Sequence, residues 1–447
     1  MSFCEMFEHH FHVYRKDLGG HARHYLGGLL GRAGRKNLQG IEADVAGSDY
    51  EGMQHFLSGS PWDHGSLMGQ VAGEADRVLG GHADSALYVD ETSFVKKGSK
   101  SVGVQRQYCG RLGKLENCQV GVFLAQGRGE RVAAVDFRLF LPEAWAGDRQ
   151  RCEQARVPEA ERRHRTKTEL ALEMIVAARA RGSRHGWIGG DEVYGNNNAF
   201  TCALEDHGEV FLMDVAANHQ VWTARPRLPE PAAGPRGRGR PATRACAQET
   251  MSGPVAVKTL AGQHFEAQAR EVTVRATTKG PLRVRVWAAQ VWLWDGKTAR
   301  SRWLVVREEH DGSRKYSLGN HPEDTTWERL AFMQAQRFWI ERAFQDAKSE
   351  LGLADYELRG WTGWHHHVAL VCLAQLFTLL ERKLARKTRP LLSVRDLTEL
   401  LEIYLPRRPR NARQVLRRIG ARHRLRKRGI DRHRKKSPLI IKSILPK

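Results

Sequence analysis

The chain has 447 residues, a formal net charge of +22, and 41% apolar residues. That apolar content excludes a disordered chain, the length exceeds a single compact core, so two or three structural units are expected, and the charge asks for a polyanionic partner, most simply nucleic acid. Seven cysteines without a Cys-x-x-Cys pair exclude a disulfide framework or zinc knuckle, and Glu5, Glu8 and Asp17 stand where an export signal needs an apolar run, so a cytoplasmic protein is expected.

Residues 1 to about 80 read as short helices with glycine-rich joints. Asp49 is a good N-cap for the run from Tyr50 to Leu57, and Ser58-Gly59-Ser60-Pro61-Trp62 stops it. Arg32, Arg35 and Lys36 give this helical part a basic edge suited to DNA. Ala86-Leu87-Tyr88-Val89 then reads as a buried strand ending in Asp90, followed by a lysine-rich loop through Lys100. Cys118 to Ala125 and Val132 to Leu141 read as a hairpin turning at Gly127-Arg-Gly129. Thr166-Lys-Thr-Glu169 is a capping box opening a helix to about Arg181. Trp187-Ile188-Gly189-Gly190 leads into Asp191, a second acid at a strand end. A helix to about residue 207 and a strand from Val210 to Val215 complete an α/β sheet of mixed direction.

Between residues 216 and 325 the pattern changes. Thr223 to Arg244 reads as an extended basic linker. Val272–Ala276, Leu282–Trp287, Val291–Trp294 and Trp303–Val306 then alternate like antiparallel strands. The stretch from Gln334 to Gly352 reads as one uninterrupted helix with two stripes. Met333, Ile340, Phe344, Ala347 and Leu351 make an apolar face. Gln334, Arg337, Glu341, Gln345 and Lys348 recur beside it, so one acid is flanked by cations. His365-His366-His367 reads as a polar helix start, because adjacent side chains on a helix diverge too far to share a metal. Val368 to Leu380 is too short to span a bilayer and is expected to be a buried helix. Between Arg407 and Lys436 there are 15 Arg or Lys against one acid, Asp431.

Two strand-borne aspartates, Asp90 and Asp191, together with Glu341, offer hard oxygen ligands suited to Mg²⁺ or Mn²⁺. Two such ions can activate a water or a 3′-hydroxyl in phosphodiester chemistry. Taken singly, each aspartate also reads as a turn former and Glu341 as a surface ion pair with Arg337 or Lys348. Glu91 and Glu192 leave the choice of ligand open, although strand neighbours point to opposite faces and only one of each pair should face the site. No Walker A or dinucleotide fingerprint is present.

The order of these elements resembles the RNase H-like core of DDE transposases. More closely, Val89-Asp90-Glu91-Thr92-Ser-Phe94-Val-Lys96-Lys97-Gly98, Ser101-Val-Gly-Val-Gln-Arg106-Gln107-Tyr108-Cys109-Gly110, Gly113-Lys114 and Asn117-Cys118-Gln119-Val120 resemble the IS701 group, related to the IS4 family. Tyr50…His55-Phe56-Leu57…Ser60-Pro61-Trp62, Phe140-Leu141-Pro142-Glu143-Ala-Trp145, Asp191-Glu-Val-Tyr194-Gly195 and Glu350-Leu-Gly-Leu353…Tyr356-Glu-Leu-Arg359 extend the resemblance over most of residues 45 to 380.

The resemblance implies a fold class of α/β with an RNase H-like mixed-sheet core, and five parts. These are a helical N-terminal DNA-binding domain (1–82), a first core part (83–215), a β-rich insertion with its basic linker (216–325), a last core part carrying the catalytic-Glu helix (326–382), and a basic helical C-terminal DNA-binding region (383–447). It implies Asp90, Asp191 and Glu341 as catalytic residues and ligands of two Mg²⁺, which Mn²⁺ could replace. Arg337, Glu341 and Lys348 stand at the spacings of the IS4 signature Tyr-x₂-Arg-x₃-Glu-x₆-Lys, with Gln334 at the tyrosine position. Gln334, Arg337, Lys348 and Tyr194 are therefore expected at DNA. The insertion is implied to help handle flipped or hairpinned DNA ends.

Lys96, Lys97, Lys100, Arg106 and Lys114 flank the first Asp and are expected on phosphates. Arg238-Gly239-Arg240-Pro241 resembles an AT-hook core, and its other reading is a flexible basic linker. The activity implied is cut-and-paste DNA transposition at terminal inverted repeats by a homodimer, nucleoid-associated when bound, with no membrane partner. The alternatives are a structure-selective nuclease on the same core and a domesticated DNA-binding protein.

Overall fold

The structure is a computed structural model and describes residues 2–31, 34–110, 112–227, 246–247, 253–277, 280–408 and scattered positions between 412 and 431. Its frame is one mixed sheet of ten strands. In chain order the strands are β1 (Ala86–Val95), β2 (Gln105–Cys109), β3 (Lys114–Arg128), β4 (Arg131–Leu139), β5 (Trp187–Gly190), β6 (Phe211–Val215), β7 (Arg270–Thr277), β8 (Gly280–Trp294), β9 (Ala299–Glu308) and β10 (Arg314–Gly319). Across the sheet they run β7-β8-β9-β10-β6-β5-β1-β3-β2, with β4 also on β3. β1, β5 and β6 are parallel neighbours, and every other pairing is antiparallel.

Several strands differ from their sequence readings. β1 does not end at Asp90 but runs five residues on, because β3 keeps pairing with it from Phe123 down to Cys118. Part of the expected lysine-rich loop is thus strand. Leu282 to Trp294 is one long strand, not two. The β-rich late segment does not stand apart, since β10 pairs with β6 and carries the sheet on through β7–β10.

Four helices, α1 (Gly19–Leu30), α2 (Leu38–Asp44), α3 (Tyr50–Ser58) and α4 (His64–Leu79), form the N-terminal layer. The carboxylates of Asp49 and Asp63 cap α3 and α4, each accepting from backbone N–H groups of its first turn. Helix α5 (Lys167–Ala180) opens on the expected capping box, with Glu169 accepting from the Thr166 N–H at 2.7 Å. The longer helices that follow are α6 (Asn198–Asp206), α7 (Val257–Gln268), α8 (Trp327–Gln336), α9 (Phe338–Ser349), α10 (Trp361–Ala385) and α11 (Val394–Tyr404). α10 packs on α4, α1, α3 and β4, binding the N-terminal layer to the sheet. A separate small core gathers α7 against Trp287, Leu304, Val306 and Leu318 of the late strands.

Two helical readings are corrected. The stretch expected as one helix from Gln334 is two, α8 and α9, meeting at Arg337, where the Ile340 N–H bonds only three residues back, to the Arg337 carbonyl at 3.2 Å. The histidines expected as a polar helix start lie inside α10, at most 3% exposed. His366 stacks on Trp62 at 3.7 Å between ring centroids. His365 bonds to the Trp361 carbonyl, His366 to that of Trp62, and His367 to both the Leu353 carbonyl and the Tyr25 hydroxyl. Burial first of all lowers the pKa of all three, to about 4 for His366 and about 3 for His367. Their polarity is spent on joining α10 to the N-terminal layer.

Candidate active site

The parallel register brings three aspartates to one level. Val89 lies opposite Gly190 and Gly190 opposite Met213, so the next residues, Asp90, Asp191 and Asp214, come to one level: Asp191 and Asp214 at the carboxyl ends of β5 and β6, Asp90 midway along the longer β1. Open α/β sheets bind ligands at that edge. Asp191 caps the one-turn helix Glu192–Gly195, accepting from the Val193 N–H at 2.9 Å. The glycine closing the Asp191-Glu-Val-Tyr-Gly motif is a steric necessity, since a Cβ there would lie 1.9 Å from the Asp214 carbonyl oxygen.

Helix α9 adds Glu341 to the same side. Asp90 pairs across the sheet with Phe123, and the Phe123 ring packs on Phe344 at 5.2 Å, one turn beyond Glu341. The apolar stripe of Met333, Ile340, Phe344, Ala347 and Leu351 is buried, which leaves Glu341 outward with its side chain 53% exposed. Asp90, Glu341 and Lys348 line one open groove. Glu91 is held from β1 by Lys167 at the start of α5, and its other oxygen accepts from the Tyr194 hydroxyl at 3.3 Å. Glu192 is exposed.

Arg337 is the counter-charge of this cluster. Its Nε lies 3.0 Å from Asp214 and its Nη2 2.7 Å from Glu341. Burial opposes the Arg337 charge, but Asp214, Asp90, Glu341 and Asp191 outweigh it and raise its pKa. The guanidinium does not neutralise every acid. Burial and then the Asp191 charge push Asp90 up to about 7, and burial and then Glu91 push Asp191 up to about 6. Half-buried carboxylates crowded enough to raise their pKa values suit a hard divalent cation, and their donor set is all oxygen. Among the described residues, no three His, Cys, Asp or Glu stand close enough to hold a metal as they are. Glu341 is paired with Arg337 instead. The donors fit a metal in kind, and a third ligand requires Glu341 to leave that pair.

The other expected contacts fall into three groups. Lys97, Lys100, Arg106 and Lys114 are exposed around β1, β2 and β3. Tyr194 and Lys96 are turned inward, and Gln334, though mostly buried, lines a pocket with Arg337 and Glu341. Gln334 is 5% exposed and donates to Ser317 Oγ at 2.8 Å, because that side of α8 faces the sheet. Tyr194 is fully buried beneath the acids. Lys96 lies 3.4 Å over the Tyr356 ring and donates to its carbonyl at 3.2 Å, and burial lowers its pKa to about 8. Arg238 and Arg240 lie outside the described residues. Asp214, Lys167 and Ser317, which donates to Asp214 at 2.6 Å, were not singled out from the sequence. An acid inside the apolar run Phe-Leu-Met-Asp-Val was the available signal for Asp214.

A mixed α/β fold whose three parallel strands bring aspartates to one level defines a protein built around a carboxylate site. The chain belongs to the DDE superfamily endonucleases, whose family model matches residues 6–281. Asp90 and Asp191 lie within that match and Glu341 beyond it. A probable transposase for insertion sequence element IS701 from Microchaete diplosiphon is 30% identical over 197 residues, covering 43% of this chain and 48% of the relative. The chain thus spans about half the length of that relative. The NurA nuclease from Sulfolobus solfataricus superposes over 72% of this chain and 92% of its own at 9% identity, with a TM-score of 0.25, too low for a shared fold to follow. No helix among the described residues is long and apolar enough to cross a membrane.

Proposed function

We propose that the chain is a DDE transposase that cuts and joins DNA at the terminal inverted repeats of an insertion sequence, on an RNase H-like core formed by β1–β6 and α9. The observation that carries this reading is the shared level of Asp90 and Asp191 on adjacent parallel strands, with Asp90, Glu341 and Lys348 lining one groove. Asp90, Asp191 and Glu341 would hold two Mg²⁺, or Mn²⁺, which when bound supply an activated water or 3′-hydroxyl and stabilise the leaving oxygen. Arg337 keeps the acids folded together before metal arrives, and once Glu341 turns away it is free to bind a phosphate of the cleaved end. Lys348 faces the same groove and holds the strand. Glu91 lines the same groove, held there by Lys167 and the Tyr194 hydroxyl.

Residues 1–82 serve as the end-recognition domain, 83–215 and 326–382 as the catalytic core, 216–325 as the segment that manages the DNA end, and 383–447 as a basic tract that binds backbone in a salt-dependent way. Joining needs two ends in one complex, so the working form is a homodimer on DNA, in the bacterial cytoplasm. The test is Mg²⁺-dependent cleavage of DNA carrying the element's own ends, wild type beside Glu341→Gln. Cleavage at the element boundary by wild type alone is expected. Equal cutting of unrelated DNA would replace the transposase with a structure-selective nuclease. Binding of the ends without cutting by either protein would point to a DNA-binding protein that has lost catalysis.

A further inference from the structure

Beside the groove lies a second pocket, between the late strands and the α8–α9 junction, that shares Glu341 with it and is also lined by Arg337, Asp214 and Glu309. Its other walls carry Arg275 of β7, Arg307 of β9 and Lys315 of β10. Most of these charges are matched. Arg307 pairs with Glu309 at 2.5 Å, Lys315 reaches the same carboxylate at 3.9 Å, and Arg337 is taken by Asp214 and Glu341. Arg275 is different. Its guanidinium lies 4.6 Å from the Phe338 ring and 4.8 Å from the Trp339 ring, and its Nε and Nη1 are buried with no hydrogen-bond partner among the described residues. Arg307, only 8% exposed, also has a buried Nε with no partner. Unpaired buried N–H groups are costly, and two guanidinium charges facing one pocket add repulsion. An anion with several oxygens relieves both costs.

We propose that this pocket binds one non-scissile phosphate of the DNA strand beside the carboxylates, with Arg275 as its direct ligand and Arg307 and Lys315 as supporting charges. The identity of the ligand rests on the DNA reading above. The aromatic pair Phe338–Trp339 fixes the plane of the Arg275 fork in advance, as bidentate phosphate recognition requires. Because α9 begins at Phe338 and carries Glu341 one turn on, a phosphate seated here also registers the strand against the catalytic acid.

The experiment measures binding of the full chain, with metal chelated, to duplexes carrying one end of the element. Each duplex has a single neutral methylphosphonate at a different position. In wild type, one position should weaken binding roughly ten- to hundredfold, the worth of a charge-assisted phosphate contact. Arg275→Gln should weaken binding of the unmodified duplex by a similar factor and lose the penalty at that position alone. Arg275→Lys should recover part of both. A penalty that survives in Arg275→Gln at every position overturns the proposal, as does unchanged affinity for the unmodified duplex. An unaltered melting temperature in Arg275→Lys separates a lost contact from a lost fold. Coupling without Mg²⁺-dependent cleavage by wild type would keep the phosphate site and reject the catalytic reading. Cleavage without coupling would do the reverse.

Discussion

The histidine run in α10 and the acids at the sheet edge are both dense clusters of titratable side chains, yet the fold treats them in opposite ways. Each histidine is dry, has at least one hydrogen bond to a backbone carbonyl, and loses its charge to burial. The acids are also partly buried, but one guanidinium serves four carboxylates and two of them are driven toward neutral pKa. Candidate chemistry is marked by charge the fold leaves uncompensated, and density of polar residues alone does not mark it.

The largest effect expected from this contrast is on chemistry. Asp90→Asn should reduce single-turnover cleavage of an element end by on the order of 100- to 1000-fold or more while leaving end binding in place. Retained cleavage would remove Asp90 from the site. His367→Ala should do the opposite. It deletes a buried ring together with its bonds to Tyr25 and Leu353, and should cost about 2–4 kcal/mol of stability in denaturant unfolding. Cleavage per folded molecule should stay near wild type, and a selective loss of cleavage would erase the contrast.

A smaller effect concerns pH. Asp90 has a folded-state pKa of about 7 against an ordinary 3.8, so between those values the native chain binds a proton that the unfolded chain has lost. Metal-free stability should therefore fall as pH rises from about 4 to about 7. Asp90→Asn should remove part of that slope, on the order of 1–3 kcal/mol at pH 8. Thermal melts across pH, with and without Mg²⁺, check this, because a bound cation should reverse the loss and raise the melting temperature most at high pH. A flat profile in the metal-free wild type would mean that Arg337 already compensates the acids.

Asp90 and Asp191 were legible in the sequence because each follows a short apolar run, and the α9 stripe because its period is helical. Asp214 was not, because only the parallel pairing of β5 with β6 lifts it to the level of the other two. The burial of Gln334 was not legible because an apolar and a polar stripe run side by side there, and how far the polar one turns toward β9 and β10 is a property of packing. The same holds for the histidines, whose burial depends on Trp62 and Tyr25, some 300 residues away in the chain. The end of β1 was missed because β3 supplies partners beyond Asp90.

The pairing of β10 with β6 has a consequence for how this chain can be divided. Without β7–β10, β6 would become the rim of the sheet, presenting a row of unpaired N–H and C=O groups along the apolar sequence Phe211-Leu-Met-Asp-Val215. Bare rims of that composition recruit other chains. A protein truncated after Val215 is expected to self-associate through that rim, and would lose Glu341 and the Ser317 hydroxyl that steadies Asp214. The late strands thus act as a selvage for the sheet that carries the three aspartates.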